Sequence, residues 1–330
     1  MEERLHRTLR EVMLNHNNDY GFDVHATLLQ SPDVPNLSIV IPYYESKHIT
    51  LVIRYLYTGI VKVQQEHPEW QFEVIVIDDG SMNRADRIFN PQEYHNLAVT
   101  TLQSNRGRTE ARNVGLRQAR FPVVLFMDAD IIVSDDVILN HLKVQVAEGI
   151  AGRCITVGFF ATVAPADPFL TQPLTNNAIR SKLNDFRLSC VYQSSWIGCE
   201  EDKQFIGRMF EIVRETNGFR NWPIGSFFGP WILSNMVLGG FFMVDREAAF
   251  EVNGFDRSFV GYGFTETSLP TKLIARYSHY VVPVIEGVCL HIDDESEWPS
   301  RSEKNALFRE KHAQYFNRYL ELTCEEAIHG

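Results

Sequence analysis

Residues 123–130 read Val-Val-Leu-Phe-Met-Asp-Ala-Asp. The unbroken apolar run predicts a strand buried on both faces, and two acids close it. The same order recurs upstream. Leu37–Ile41 is an apolar run followed by Pro42-Tyr43-Tyr44-Glu45, and Phe72–Ile77 is another, followed by Asp78-Asp79-Gly80-Ser81. Leu97–Leu102 reads as a further strand. Helical patterns lie between them. His48–His67 places Val52, Tyr55, Leu56, Gly59, Ile60 and Val63 at i, i+3, i+4, i+7, i+8 and i+11, which is one helix face. Thr109–Arg120 and Asp135–Glu148 predict two more helices. Strands alternating with helices predict an α/β fold, with a mostly parallel sheet and helices on both faces. Ligands of such sheets collect at the carboxyl ends of strands. Three of these ends carry polar clusters.

The remaining sequence bounds the function classes. The chain has 330 residues, 45% of them hydrophobic, enough for a sizeable core. Lys plus Arg is 31 and Asp plus Glu is 42, a net charge of −11. That balance argues against general binding to nucleic acid or to an anionic membrane. The N-terminal stretch is charged and lacks an apolar h-region. The most apolar stretches are too short for a transmembrane segment. The five cysteines are scattered with no CxxC pair, which suits a reducing, cytoplasmic setting and no zinc site. Leu5, Leu9, Val12 and Met13 predict an amphipathic N-terminal helix. From residue 151 the regularity fades. It returns at Gly239–Val244, a predicted strand, and ends in a helix predicted near 301–322 that buries Phe308, Tyr315, Phe316, Tyr319 and Leu320.

The strand-end clusters suggest chemistry. Asp128 and Asp130 repel each other and lose solvation beside a buried strand, which costs stability unless a cation is bound. Mg2+ or Mn2+ favours oxygen ligands and commonly uses few protein carboxylates plus a ligand's phosphates. A solvated turn is the plainer alternative. Asp78 or Asp79 could accept from a uracil imide or a ribose hydroxyl, or serve as an ordinary Asp-rich turn. Asn105–Asn113 opens a helix with three arginines, a suitable place for a diphosphate or simply a solvated basic turn.

Taken in order, Leu37-Ser-Ile-Val-Ile-Pro-Tyr-Tyr-Glu45, Val74-Ile-Val-Ile-Asp-Asp-Gly-Ser81, Asn105-x-Gly-x-x-x-Ala-Arg-Asn-x-Gly115 and Asp128-x-Asp130 resemble the family 2 glycosyltransferases of the GT-A fold. Gly239-Gly240, Arg246, Asn253-Gly-Phe-Asp256, Gly261-Tyr-Gly-Phe-Thr-Glu266 and His291 resemble the C-terminal half of galactosyltransferase-type members. The resemblance covers roughly residues 37–135 and 236–292. It implies a GT-A (Rossmann-like) sheet with abutting nucleotide and acceptor subdomains. Residues 1–36 would be a helical extension, 37–150 the nucleotide-sugar-binding subdomain, and 151–330 the acceptor-binding subdomain carrying the base. It further implies that Pro42, Tyr43, Tyr44, Glu45, Asp78, Asp79, Arg112, Asp128 and Ala129 hold a nucleotide-sugar donor, with Tyr44 beside the base. Asp130 and His291 would ligate Mn2+ or Mg2+, and Glu266 would be the catalytic base of an inverting transfer. UDP is the family default, with GDP and dTDP open. The acceptor would be a hydroxyl of a glycan, a peptide or a small molecule.

One place departs from the family. Where members often carry Gly-x-Gly-x-Glu-Asp, this chain has Thr265 in the Glu place and Glu266 in the Asp place. Acceptor recognition is therefore open, and so is a catalytically dead nucleotide-sugar-binding protein of the same fold. A nucleotidylyltransferase would need a Gly-rich loop after the first strand, where this chain has Pro42-Tyr43-Tyr44-Glu45.

Overall fold

In the computed structural model the residues described are 2–16, 18, 35–146, 150–171, 185, 187, 191–199, 204–210, 233–237, 240–261, 263, 265–293, 303, 306–307 and 315–329, with 191–199 and 204–210 described by backbone alone. The strands are β1 (Leu37–Tyr43), β2 (Phe72–Asp78), β3 (Leu97–Thr101), β4 (Val123–Met127), β5 (Ile131–Val133), β6 (Cys154–Val163), β7 (Val191–Cys199), β8 (Gln204–Phe210), β9 (Phe241–Asp245) and β10 (Tyr280–Ile292). They form one sheet in the order β3-β2-β1-β4-β9-β6-β10-β8-β7, with β5 paired to β10. The first four are parallel, so β1 ends at Tyr43 opposite Asp78, the end of β2. Beyond β4 the sheet is mixed: β9 runs antiparallel to both β4 and β6, while β6 and β10 are parallel. The two halves of the chain therefore share one sheet, through β4 with β9 and β5 with β10.

The helices are α1 (Glu2–Leu5), α2 (Leu9–Asn15), α3 (Ile49–Glu66), α4 (Ala85–Ile88), α5 (Arg108–Gln118), α6 (Val137–Gln145), α7 (Arg246–Glu251), α8 (Ser268–Tyr277), α9 (Asn317–Tyr319) and α10 (Cys324–His329). Side chains alternate across each strand, and this splits the core in two. Leu37, Ile39 and Ile41 of β1 pack with α3 and α6, while Val40 packs with α5 and α8 on the other face. Helices thus cover both faces, as the alternation of elements predicts.

The N-terminal arm is two helices where one was expected, and the device that divides it recurs at the C-terminal end. Thr8 accepts from Glu11 N–H while the Glu11 carboxylate accepts from Thr8 N–H, a capping box that starts α2 afresh after α1. Thr323 and Glu326 repeat the device and start α10. Where the helix predicted near 301–322 is described, α9 ends at Tyr319, and α10 follows as a separate helix. Phe316, Tyr319 and Leu320 are buried as predicted, but Tyr315 is 51% exposed. Phe308 lies outside the described residues. Thr8 and Thr323 also bridge each other, so the N-terminal arm is pinned to the C-terminal one. Among the described residues no helix is long and apolar enough to cross a membrane.

Candidate active site at the strand ends

The ends of β1 and β2 set the first wall. Tyr43 is 1% exposed and its hydroxyl donates to Asn83 O at 2.7 Å. Asp78 is fully buried, and its two oxygens accept from Ser81 N and Ala85 N, both at 2.9 Å. These two residues build the turn and the start of α4. Ala129 likewise has its methyl in the core, while its carbonyl accepts from Ser46 Oγ at 2.9 Å. Tyr44 is different, at 54% exposed. Pro42 is half-buried on β1. Glu45 sits at a positive φ of 51°, and its carboxylate accepts from Met82 N and from Asn83 N and Nδ2. It clamps the turn after β2 against the turn after β1.

Asp79 reaches the next loop. Its oxygens accept from Arg106 N at 2.7 Å and Gly107 N at 2.8 Å, the two residues that lead into α5. Burial pushes its carboxyl above the ordinary range despite these two N–H donors. Gly80, at φ 76°, lets the turn lie on that same loop; a Cβ there would fall 2.6 Å from the Ser104 carbonyl carbon.

α5 is locked from both sides. A Cβ on Gly115 would fall 2.2 Å from a Val40 methyl, so glycine lets the helix lie against β1. The buried Asn113 amide donates to Phe255 O and accepts from Phe255 N, both at 2.8 Å. This pairing physically joins the Asn105–Gly115 motif to the Asn253–Asp256 motif.

Arg112, on this locked helix, is 1% exposed. Its Nη2 donates to Asp128 Oδ1 at 2.7 Å, its Nη1 donates to Thr265 Oγ1 at 3.3 Å, and Nη1 lies 3.7 Å from Glu266 Oε2. Thr265 Oγ1 in turn donates to Glu266 Oε2 at 2.7 Å. Three residues from two motifs thus meet on a guanidinium that belongs to a third. Burial alone would raise the Glu266 carboxyl, but the Arg112 charge, the Thr265 hydroxyl and the Arg108 charge outweigh it and hold the group below its ordinary range. Glu266 is an ionised, largely buried carboxylate.

Asp130 and His291 form a second cluster beside it. The antiparallel pairing of β5 with β10 sets His291 opposite Ile131, and Ile292 N donates to Asp130 O at 3.0 Å. His291 Nε2 lies 3.5 Å from Asp130 Oδ2. Burial works against both charges, yet each partner overrides it: His291 is raised and Asp130 lowered. Asp130 Oδ1 is buried with no hydrogen-bond partner. An orphaned carboxylate oxygen beside an imidazole is what a divalent cation would satisfy. Among the described residues no group of three His, Cys, Asp or Glu could hold a metal alone. The donor set therefore fits an ion that takes its other ligands from phosphates and water.

Sequence reasoning took Arg108 only as one of three arginines at a helix start and did not single it out. Its charge acts on both Asp130 and Glu266. The signal was available: Arg108 and Arg112 stand at i and i+4 and share a helix face. A cavity of about 460 Å3 lies between this first turn of α5 and the loop after α7, lined by Arg106, Arg108, Arg257, Phe259, Val260 and Gly261 among others. Gly240, where β9 begins, completes the site: a Cβ there would fall 2.2 Å from Asp128 Cβ, and Asp128 N donates to Gly240 O at 2.8 Å.

Residues 38–190 match the family model described as Glycosyl transferase family 2. The chain is 33% identical over 107 residues to the uncharacterized glycosyltransferase YfnE of Bacillus subtilis strain 168, covering 32% of this chain and 26% of that one. It is 31% identical over 203 residues to the poly(ribitol-phosphate) beta-N-acetylglucosaminyltransferase TarS of Staphylococcus aureus strain Mu50, covering 56% and 33%. The chain thus spans about a quarter to a third of these relatives' length. In fold it is similar to the mannosyltransferase PcManGT of Pyrobaculum calidifontis, solved with GDP-Man and Mn2+, with a TM-score of 0.53 at 18% identity over 97% of this chain and 77% of that one. Residues 38–190, with their motifs at the ends of parallel strands, thus match family 2 glycosyltransferases, and the chain carries them on a fold similar to that of a GT-A enzyme.

Proposed function

We propose that the protein is a metal-dependent, inverting glycosyltransferase that moves a sugar from a UDP-linked donor to an acceptor hydroxyl. The observation that carries this reading is the Arg112 junction, which fixes an ionised Glu266 beside Asp128. A carboxylate kept charged in a largely buried site can take a proton from a hydroxyl as the new bond forms, a step worth about 10²–10⁴-fold. One base and no enzyme nucleophile imply in-line attack with inversion at the anomeric carbon. Tyr44, whose ring is exposed just beyond β1, would stack on the nucleobase. Asp79 holds the loop that shapes the nucleoside pocket. Asp130 and His291 would hold a divalent cation, which supplies Lewis-acid neutralisation of the departing diphosphate. Arg108, whose charge already acts on Asp130, adds positive charge beside that group.

The relatives support parts of this reading. TarS is named for transferring N-acetylglucosamine to a poly(ribitol-phosphate), and PcManGT was solved with GDP-Man and Mn2+. The acceptor here is a hydroxyl of a glycan, a peptide or a small molecule. We take the Gly261–Glu266 stretch as the acceptor-side motif of galactosyltransferase-type members, and the scattered cysteines as fitting a cytoplasmic enzyme. The test is Glu266→Gln. It should leave donor binding nearly intact and cut kcat by ~10²-fold or more, since Gln keeps the size of Glu but accepts no proton. Wild-type kcat in this variant would remove Glu266 from the mechanism.

A further inference from the structure

Thr265 stands where the family often has a carboxylate, and the structure turns it inward. It is fully buried. Its hydroxyl donates to Glu266 Oε2 at 2.7 Å and accepts from Arg112 Nη1 at 3.3 Å. The same Nη1 lies 3.7 Å from that same oxygen. Both neighbours therefore hold Glu266 by Oε2, which leaves Oε1 as the oxygen that neither engages. The Thr265 hydroxyl faces the guanidinium and the Glu266 carboxylate.

We propose that Thr265 and Arg112 are a positioning pair that clamps Glu266 by Oε2 and so makes Oε1 the atom that receives the acceptor's proton. This rests on the reading of Glu266 as the base. A carboxyl group rotates about its last bond, and a base that rotates spends part of its time misaligned; positions within about half an ångström matter for such steps. One hydrogen bond and one ion pair on the same oxygen restrict that freedom. They also split the work. Arg112 brings charge and a planar fork anchored at its other end on Asp128, and α5 fixes it through Asn113 and Gly115. Thr265 brings a hydrogen bond without a charge. Asp128 and Glu266 already place two carboxylates on one guanidinium, so a third, at position 265, would leave negative charge unbalanced near the leaving diphosphate. The Thr-Glu order thus keeps the base and lightens the load on Arg112.

The groups facing Glu266 are Arg112 and Arg108 from α5 and Thr265 from its own loop, with Asp128 of the β4 end across the guanidinium. A hydroxyl that donates to a carboxylate favours the charged form, so losing it raises the pKa. Hydrogen bonds to charged groups correspond to about one to two pH units.

The experiment is steady-state release of the nucleoside diphosphate across pH, with the nucleotide sugar that gives the largest thermal shift in Mn2+ from a panel of UDP-, GDP- and dTDP-sugars. Variants are Thr265→Val, Thr265→Ser, Arg112→Lys and Glu266→Gln. Thr265→Val, nearly isosteric, should lower kcat roughly 10-fold with donor KM unchanged, and move the acid limb of kcat up by about one pH unit. Thr265→Ser should restore both. Arg112→Lys should fall between, because it keeps the charge and loses the fork. A carbon-13 carboxyl titration, with the Glu266 resonance identified by its loss in Glu266→Gln, gives the same shift without turnover. That measurement keeps the inference testable should Arg112→Lys fail to fold. If Thr265→Val keeps the wild-type pH profile and the wild-type Glu266 titration while Glu266→Gln is inactive, the clamp is refuted and the base stands. If Glu266→Gln turns over like wild type, the base itself falls.

Discussion

Two pairs of acids end two strands of the same sheet, with only β1 between them, and they are used in opposite ways. Asp78 and Asp79, after β2, give all four oxygens to backbone N–H groups of Ser81, Ala85, Arg106 and Gly107. Asp128 and Asp130, after β4, face side chains: one sits on Arg112 and the other on His291 with one oxygen orphaned. The first pair is consumed in holding loops in place. The second keeps open capacity and strong local charge, which is what a donor and a cation need. An acid at the carboxyl end of a buried strand is therefore ambiguous until its hydrogen bonds are counted. Backbone donors make it architecture, whereas charged side chains and an unsatisfied oxygen make it a site.

The largest break in this comparison should come from Asp130→Asn. It removes the charge from the open pair while keeping its shape. We expect turnover to fall by roughly 10³-fold or more, since a cation on a departing diphosphate is worth several kcal/mol and each 1.36 kcal/mol is tenfold. The fold should survive, since no protein donor relies on the orphaned Oδ1 and only the part-exposed pairing of Oδ2 with His291 is weakened. UDP release with and without added Mn2+ checks it, and full activity of EDTA-treated wild type would end the metal reading.

A smaller effect belongs to Tyr44. It stands beside the backbone-satisfied acids yet is exposed, unlike its neighbour Tyr43. Tyr44→Ala should weaken UDP binding by ~1–3 kcal/mol, the range of one aromatic stacking contact, with little change in stability. Titration calorimetry reads this directly, and unchanged affinity would make Tyr44 a mere surface residue.

Much of this was legible in the sequence, but unevenly. β1, β2 and β4 are strong signals because burial on both faces forces apolar runs, and α3 because one helix face is buried, whereas β3 is the part-buried edge strand. His48 and His67, the predicted bounds of α3, are the residues that flank it. β5 went unread because it is three residues long, Ile131–Val133, and takes its identity from pairing with β10. β6 went unread because Thr156 and Gly158 interrupt its pattern; Gly158 is there because Phe241 lies against it, with a Cβ 3.0 Å from that ring. The break before α10 was written plainly in Thr323-x-x-Glu326, the same signature as Thr8-x-x-Glu11. The site was legible as an ordered set of motifs, but their partners were not. Arg112 and Thr265 are 153 residues apart, and no spacing rule reaches that far. Which of Asp78 and Asp79 turned inward was likewise decided by α4, a four-residue helix with no apolar periodicity to announce it.

The smallest predicted effect tests the architectural side of the comparison, at Asp78. Its oxygens cap the turn at Ser81 and the first N–H of α4 at Ala85. Asparagine keeps one acceptor oxygen and replaces the other with a donor. One of the two N–H groups would then face an NH2 in a site with no water access, since Asp78 is fully buried. Losing a cap of this kind costs about 0.5–2 kcal/mol. Asp78→Asn should therefore lower the melting temperature by a few degrees and leave kcat and donor KM near wild type below that transition. Thermal denaturation paired with steady-state kinetics separates the two possibilities. A variant that melts like wild type yet loses donor affinity would place Asp78 in the nucleoside pocket and reverse its assignment. One that only melts earlier leaves the two acid pairs as distinct in use as they are in their hydrogen bonds.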